Sequence, residues 1–421
     1  MHDALQDWHR ALARILHEAH LAAPDSLGQL VSSAVGALDV ELTTYLVDME
    51  QRSLRALPAT SRPASGVDLR PPGGHPRGDE RLPVEGTMAG RAFTSLRTVV
   101  AHERPSRLWV PIVDGTERLG VLEVVLPEQM SPDDAVVREG CLLLAGLTGH
   151  LIMSKQAYGD TLQRTRRSRP MSTSAELLWQ MLPPSTFATE RFVLTAMLEP
   201  CYEVGGDGFD YAVGNAAIHL AVLDAVGRGL SASMTCAVAL SAMRAARRAG
   251  GGLHAMAEAA DQALTSQFTD HRFVTAILAE LDENSGRLRY VNAGHPLPLV
   301  LRGGKAVLTL GGGHRLPLGL GHETARTGGA GELGEAVLEP GDRLLLHTDG
   351  VTDARRADGE RSGLAHLVDL AERYSTAGLP TAETLRRLSH AVLDQQGGRL
   401  RDDATLLLVE WSRLAAQRSV P

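Results

Sequence analysis

The chain has 421 residues, 43% of them hydrophobic and 22% charged, with a formal net charge of -8. That length allows two cored domains with a connection between them, and the acidic balance gives no reason to expect a nucleic-acid partner. Three widely spaced cysteines, Cys141, Cys201 and Cys236, argue against both a disulfide framework and a zinc site.

Leu5, Trp8, Leu12, Ile15 and Ala19 recur at helical spacing, so residues 3–20 are expected to form an amphipathic helix that packs on the first domain or pairs with another copy. This segment has neither a basic start followed by an apolar core nor a small-residue cleavage site, and no apolar run approaches the roughly 20 residues of a membrane span. A cytoplasmic protein without membrane contact is the expectation. A helix over Leu27 to Leu38 and a strand over Glu41 to Val47 come next. The Pro- and Gly-rich interval Arg62 to Pro83 is expected to be a long loop. A short helix follows over Gly86 to Phe93. Strands Leu108 to Val113 and Leu119 to Leu126 then meet at the turn Asp114-Gly115, and a closing helix runs from about Asp133 to Met153.

The order GRAF, LWVPIVDG and RLGVLEV resembles a GAF domain over roughly residues 25–155. The resemblance implies an antiparallel sheet with helices on its flanks, acting as a sensor or as a dimerising module. Residues 156–189 form a helical connection. Its basic run, Arg164 to Arg169, reads as a solvated linker, and Thr173 with Glu176 has capping-box spacing.

Beyond Phe187 strands alternate with turns: Phe192 to Leu198, Ala216 to Asp224, Arg272 to Leu281, Arg287 to Val291, Leu297 to Leu301, Ala306 to Leu310, Asp342 to Thr348 and Thr405 to Trp411. Helices are expected over Ser231 to Arg248, over Ala255 to Gln267, and twice between Ser362 and Gln395. The class is α+β, with antiparallel sheets and helices outside them.

Acidic residues recur at the strand ends. Asp207 and Asp210 are expected in a Gly-Gly-Asp turn, Asp224 ends a strand, Asp349 ends another, and Asp402-Asp403 precede the last. Two carboxylates 4 Å apart repel by about 4 kcal/mol at an effective dielectric near 20, so clustering three or four costs on the order of 10 kcal/mol. Divalent cations would remove that cost, and an all-oxygen ligand set selects magnesium or manganese over zinc. Two such ions about 4 Å apart, sharing one carboxylate and a bridging water, would supply a hydroxide and neutralise a phosphoryl group.

The series GGDxFD, DxxGxG, NAGHPLP, PLG, TDGV and DDAT resembles the SpoIIE-type branch of the metal-dependent protein phosphatases, similar to protein phosphatase 2C, over about residues 190–415. The resemblance implies a four-layer αββα sandwich with a binuclear Mn2+ or Mg2+ centre at one edge. Asp207 matches the first-metal ligand, Asp224 the bridging ligand with the Ala225 carbonyl beside it, and Asp349 and Asp402 the second-metal ligands. Asp210 and Asp403 are then helpers or turn residues, while Asn292 and His295 fix a loop. Gly208 stands where the family commonly has an aromatic and leaves a more flexible turn. Arg228 stands where it commonly has a His, either contacting a substrate phosphate or lying exposed at the turn. The implied activity is serine/threonine protein phosphatase, acting on an anti-anti-sigma-factor-like phosphoprotein in partner switching. The first domain would regulate it, with a possible homodimer through that domain and the connecting helix. A phosphoprotein-binding pseudophosphatase is the alternative. A two-metal nuclease fits the acidic residues but not the strand order or the net charge.

Overall fold

The computed structural model describes residues 2–58, 81–214, 217–321, 332–353, 363–395, 400 and 402–421. The chain divides into two compact units, Met1–Arg169 with Val420–Pro421, and Pro170–Ser419. The boundary falls inside the expected connection, because the basic run belongs to the first unit. There Arg166 Nε donates to the Val47 carbonyl at 3.1 Å and Arg169 reaches Glu50 at 3.3 Å, so these side chains are bonded rather than free in solvent.

In the first unit α1 (His2–Ala19) and α2 (Leu27–Ala34) lead into β1 (Glu41–Val47), β2 (Ser53–Ala56) and β3 (Arg81–Pro83). Then come α3 (Met88–Ser95), β4 (Val99–Ala101), β5 (Arg107–Asp114), β6 (Glu117–Val125), α4 (Ala135–Lys155) and α5 (Thr161–Arg166). The strands form one sheet in the order β3-β2-β1-β6-β5-β4, every neighbouring pair antiparallel. Period-two alternation sends Leu108, Val110 and Ile112 of β5 to a core shared with Trp8 and Ile15 of α1 and with Cys141 and Leu144 of α4. Tyr45, Val47 and Trp109 face the other way, against Phe93 of α3. Most of the expected loop, residues 62–80, lies outside the described residues, but its end differs from expectation: Arg81–Pro83 pairs with β2. The short strands β2 and β4 were also not expected; three or four residues are too few to show a period.

One helix stretch, Ala135–Tyr158, is long and apolar enough to cross a membrane by length and composition, contrary to the sequence expectation. Half of its apolar window is buried inside the protein, as in a core helix.

The second unit opens with α6 (Thr173–Met181), β7 (Thr186–Ala188), β8 (Phe192–Glu199), β9 (Asp207–Val213) and β10 (Ala217–Ala225). The N-cap of α6 is Ser172, whose hydroxyl accepts the Ala175 amide at 3.2 Å, so the helix starts one residue earlier than a Thr173–Glu176 box requires. Two helices follow, α7 (Gly229–Arg248) and α8 (Leu253–Gln267), and then β11 (Val274–Asp282), β12 (Arg287–Ala293), β13 (Leu299–Arg302), β14 (Lys305–Thr309), β15 (His314–Arg315), β16 (Gly334–Val337) and β17 (Arg343–His347). The remainder is α9 (Asp349–Thr352), α10 (Gly363–Ser375), α11 (Thr381–Gln395), β18 (Ala404–Trp411) and α12 (Arg413–Gln417).

One sheet runs β15-β12-β11-β10-β9, with β16 also on β12, and the other β14-β13-β17-β18-β8-β7. Ile218, Leu220 and Val222 of β10 meet Leu344, Leu346, Leu407 and Val409 of the other sheet in a shared core. The alternate residues Ala221 and Leu223 pack on Cys236 and Leu240 of α7, while Leu345 and Leu406 pack on Leu370 of α10 and Leu385 of α11. Even positions of β10 therefore lie between the sheets, and Asp224 continues that row.

Candidate metal centre

Asp207 and Asp224 are directly opposed in the antiparallel β9–β10 pair. The expected turn position of Asp207 and Asp210 is corrected by this register, since both lie in β9; the turn ends at Gly206. Gly206 has no space for a side chain, because a Cβ there would stand 2.6 Å from the Ala225 carbonyl oxygen. After Ala225, Gly227 (φ +102) and Gly229 (φ +63) occupy left-handed backbone, which lets the chain turn into α7.

The second sheet delivers the remaining acids to the same edge. Asp349 opens α9, one residue after β17, and shares a side-chain hydrogen bond with Asp224. Asp403 precedes β18, and its Oδ2 accepts the amides of Gly205 at 2.8 Å, Gly206 at 2.6 Å and Asp207 at 3.4 Å, which anchors the glycine turn. Asp402 lies at the rim with a side chain 58% exposed, 3.9 Å from Arg228, which is itself 75% exposed.

Burial dominates the electrostatics. It raises the Asp207 carboxyl well above the ordinary range, with Asp224 and Asp403 adding repulsion and the hydroxyls of Thr348 and Thr405 opposing. Asp224 is pushed up to about 7 by burial first and then by Asp349, Asp402 and Asp403. Asp349 is raised by burial and by Asp402. Asp403 is raised by burial even though three amides favour its charge.

Such an edge is chemically suited to a hard divalent cation: the donors are all oxygen, and the carboxylates destabilise one another without one. As they stand, no three His, Cys, Asp or Glu side chains among the described residues form a group that would hold a metal ion. The donor chemistry fits. Binding a cation would require Asp224 and Asp349 to be ionised, which burial disfavours in both.

Asp210 does not join the centre. It faces α7, where Arg244 holds its Oδ1 at 2.7 Å and Arg247 its Oδ2 at 2.8 Å, so it is a strand-to-helix tie rather than a helper. Gly208 lies in β9 rather than in a flexible turn, and an added Cβ would stand 2.8 Å from Cys236 Sγ on α7, so an aromatic there would need that helix displaced. Asn292 and His295 fix their loop as expected. The Asn292 amide group donates to the His295 carbonyl at 2.9 Å, and the His295 amide donates to Asn292 Oδ1 at 2.7 Å. His295 is pushed down to about 3 by burial and by nearby His347.

The residues not anticipated are Thr348 and Thr405, whose hydroxyls donate to Asp207 Oδ2 at 2.7 and 2.8 Å. The available signal was a threonine beside each acidic strand end, in HTDG and DDAT.

Residues 214–412 match the family model of Stage II sporulation protein E (SpoIIE), which takes in Asp224, Asp349 and Asp402 but begins after Asp207. Over those residues the second unit is similar to the SpoIIE family. Protein IcfG of Synechocystis is 24% identical over 54% of this chain and 39% of its own length. Phosphoserine phosphatase RsbU of Bacillus subtilis is 22% identical over 52% of this chain and 63% of its own length. The chain thus spans less than two thirds of either relative. Among solved structures, the RsbU and RsbW domains of Rv1364c from Mycobacterium tuberculosis are 27% identical, with a TM-score of 0.44 over 53% of this chain and 62% of that one.

Proposed function

We propose that the second unit is a metal-dependent serine/threonine protein phosphatase acting on a phosphoserine or phosphothreonine of an anti-anti-sigma-factor-like partner. One observation carries the reading: Asp207 and Asp224 oppose each other across a ladder while Asp349 is hydrogen-bonded to Asp224 at the same edge. Asp207, Asp224, Asp349, Asp402 and the Ala225 carbonyl would hold two divalent cations, manganese or magnesium. Bound there, the cations supply acidification of water and neutralisation of phosphoryl charge.

The chain's own residues would act as follows. Asp224 and Asp349 would hold a cation in their ionised forms, since ligand carboxylates must be ionised. Asp403 holds the glycine turn through three amides. Arg228 at the rim offers a guanidinium suited to bidentate contact with a phosphate. The packing of α7 and α8 on one sheet and α10 and α11 on the other supports the four-layer αββα reading of residues 190–415. The antiparallel sheet and flanking helices of the first unit support a GAF-like module over residues 25–155; a regulatory and dimerising role for it and a cytoplasmic location belong to the same proposal.

The test is manganese-dependent hydrolysis of a phosphoserine protein by wild type, Asp224→Ala and Asp349→Asn. Equal rates overturn the reading. The alternative is a phosphoprotein-binding pseudophosphatase. Calorimetric titration with Mn2+ separates the two, because a binding module need take up no ion.

A further inference from the structure

Two buried threonines converge on a single oxygen of Asp207. Thr348 Oγ1 donates to Asp207 Oδ2 at 2.7 Å, and Thr405 Oγ1 donates to the same atom at 2.8 Å. Both threonines have no exposed surface, and Asp207 is 1% exposed. The direction of the first bond is set by its surroundings. Thr348 Oγ1 accepts the Thr405 amide at 2.9 Å, so its one proton is left for Asp207. The backbone of the pair is locked as well, with the Thr348 amide donating to the Thr405 carbonyl at 3.1 Å.

Two hydroxyl donors on Oδ2 occupy that oxygen and leave Oδ1 as the one available to a cation. A valine at either position would fill nearly the same volume, so packing alone does not require these hydroxyls. Their spacing in the chain adds a second reason. Thr348 directly precedes Asp349, and Thr405 follows Asp402 and Asp403, so each also sits next to an acid that the second sheet contributes.

We infer that Thr348 and Thr405 are positioning residues for the candidate metal centre: together they fix which oxygen of Asp207 is presented to a divalent cation and in what orientation. The inference rests on the metal-dependent reading above. An outer hydrogen-bond partner of a ligand typically contributes about 10–100-fold to metal affinity.

The experiment is Mn2+ titration calorimetry on the full chain for wild type, Thr348→Val, Thr405→Val, Thr348→Ser and Thr405→Ser, with circular-dichroism melting as a check on folding. The valine variants are expected to bind Mn2+ about 10–100-fold more weakly, and the serine variants, which keep the hydroxyl, to return to wild-type affinity. Wild-type affinity in a folded Thr405→Val, or serine variants as weak as the valine ones, overturns the inference alone. No uptake by wild type overturns the metal reading and the inference with it. Thr348→Val also removes the acceptor of the Thr405 amide; where it fails to fold, Thr405→Val decides.

Discussion

Asp207 and Asp224 stand opposite each other on neighbouring strands, and the hydrogen bond from Asp224 to Asp349 extends that pair to the second sheet. Two chain segments more than a hundred residues apart thus meet through a carboxyl pair. Removing that pair is the most direct perturbation of the centre. Asp224→Asn is expected to lower manganese-dependent phosphatase activity by well over the ~100-fold that loss of an outer partner causes. Initial rates at saturating Mn2+ check this.

The same residue gives a pH signature in protein kept free of metal by a chelator. The folded-state pKa of Asp224 is raised, to about 7, so its ionisation opposes folding. The opposition is absent below the unfolded value near 4, grows as pH rises from there to about 7, and is constant above. Asp224→Asn is therefore expected to melt at an increasingly higher temperature than wild type between about pH 4 and 7. Melting curves of the two proteins across that range provide the test; a constant difference refutes it.

Cations are expected to stabilise what the chelator weakens. At a free concentration 100 times Kd, binding to the folded state alone contributes about 2.7 kcal/mol. For a unit of this size that corresponds to a rise in Tm of roughly 5–10 °C. Calorimetric scans with and without Mn2+ should show the rise, and Asp349→Asn should abolish most of it.

Asp210 separates stability from chemistry. Its carboxylate is 2% exposed and is held by Arg244 and Arg247. Asp210→Ala leaves two guanidinium groups without their anion and is expected to cost about 3–5 kcal/mol in unfolding free energy. Mn2+ affinity of the remaining folded protein should stay at the wild-type value. Denaturant unfolding and titration, run on one preparation, give both readings.

Gly350 marks how closely the two acidic loops approach. A Cβ at this position would lie 1.8 Å from the Asp403 carbonyl oxygen. Gly350→Ala must push α9 away from Asp403, so a loss of about 1–3 kcal/mol or more in stability is expected, together with weaker cation binding. Chemical denaturation checks the first and calorimetry the second.

Much of this arrangement was legible from the sequence because it depends on local periods. The even positions of β10 carry Ile218, Leu220, Val222 and Asp224, which announces an acid at the end of a buried row. Asp349 and Asp402 stand out in the same way, as acids at strand ends. Asp207 was misplaced because its strand opens on Gly-Gly-Asp, a turn signal, and only the ladder to β10 extends β9 back to it. Asp210 was ambiguous because its partners lie a helix away, at Arg244 and Arg247. Thr348 and Thr405 could not be paired in advance, since their contact exists only where β17 and β18 lie side by side.

The glycine turn before β9 is clasped by Asp403, 198 residues downstream of Gly205, and Thr405 reaches Asp207 across the same separation. During synthesis this means that Asp207 and Asp224 emerge and pair long before their counterparts exist. Non-local closures of this kind are slow, because the entropy of joining distant segments must be met before any contact is gained. The candidate centre is therefore completed late, when β18 enters its sheet and brings Asp403 and Thr405 to the edge of β9.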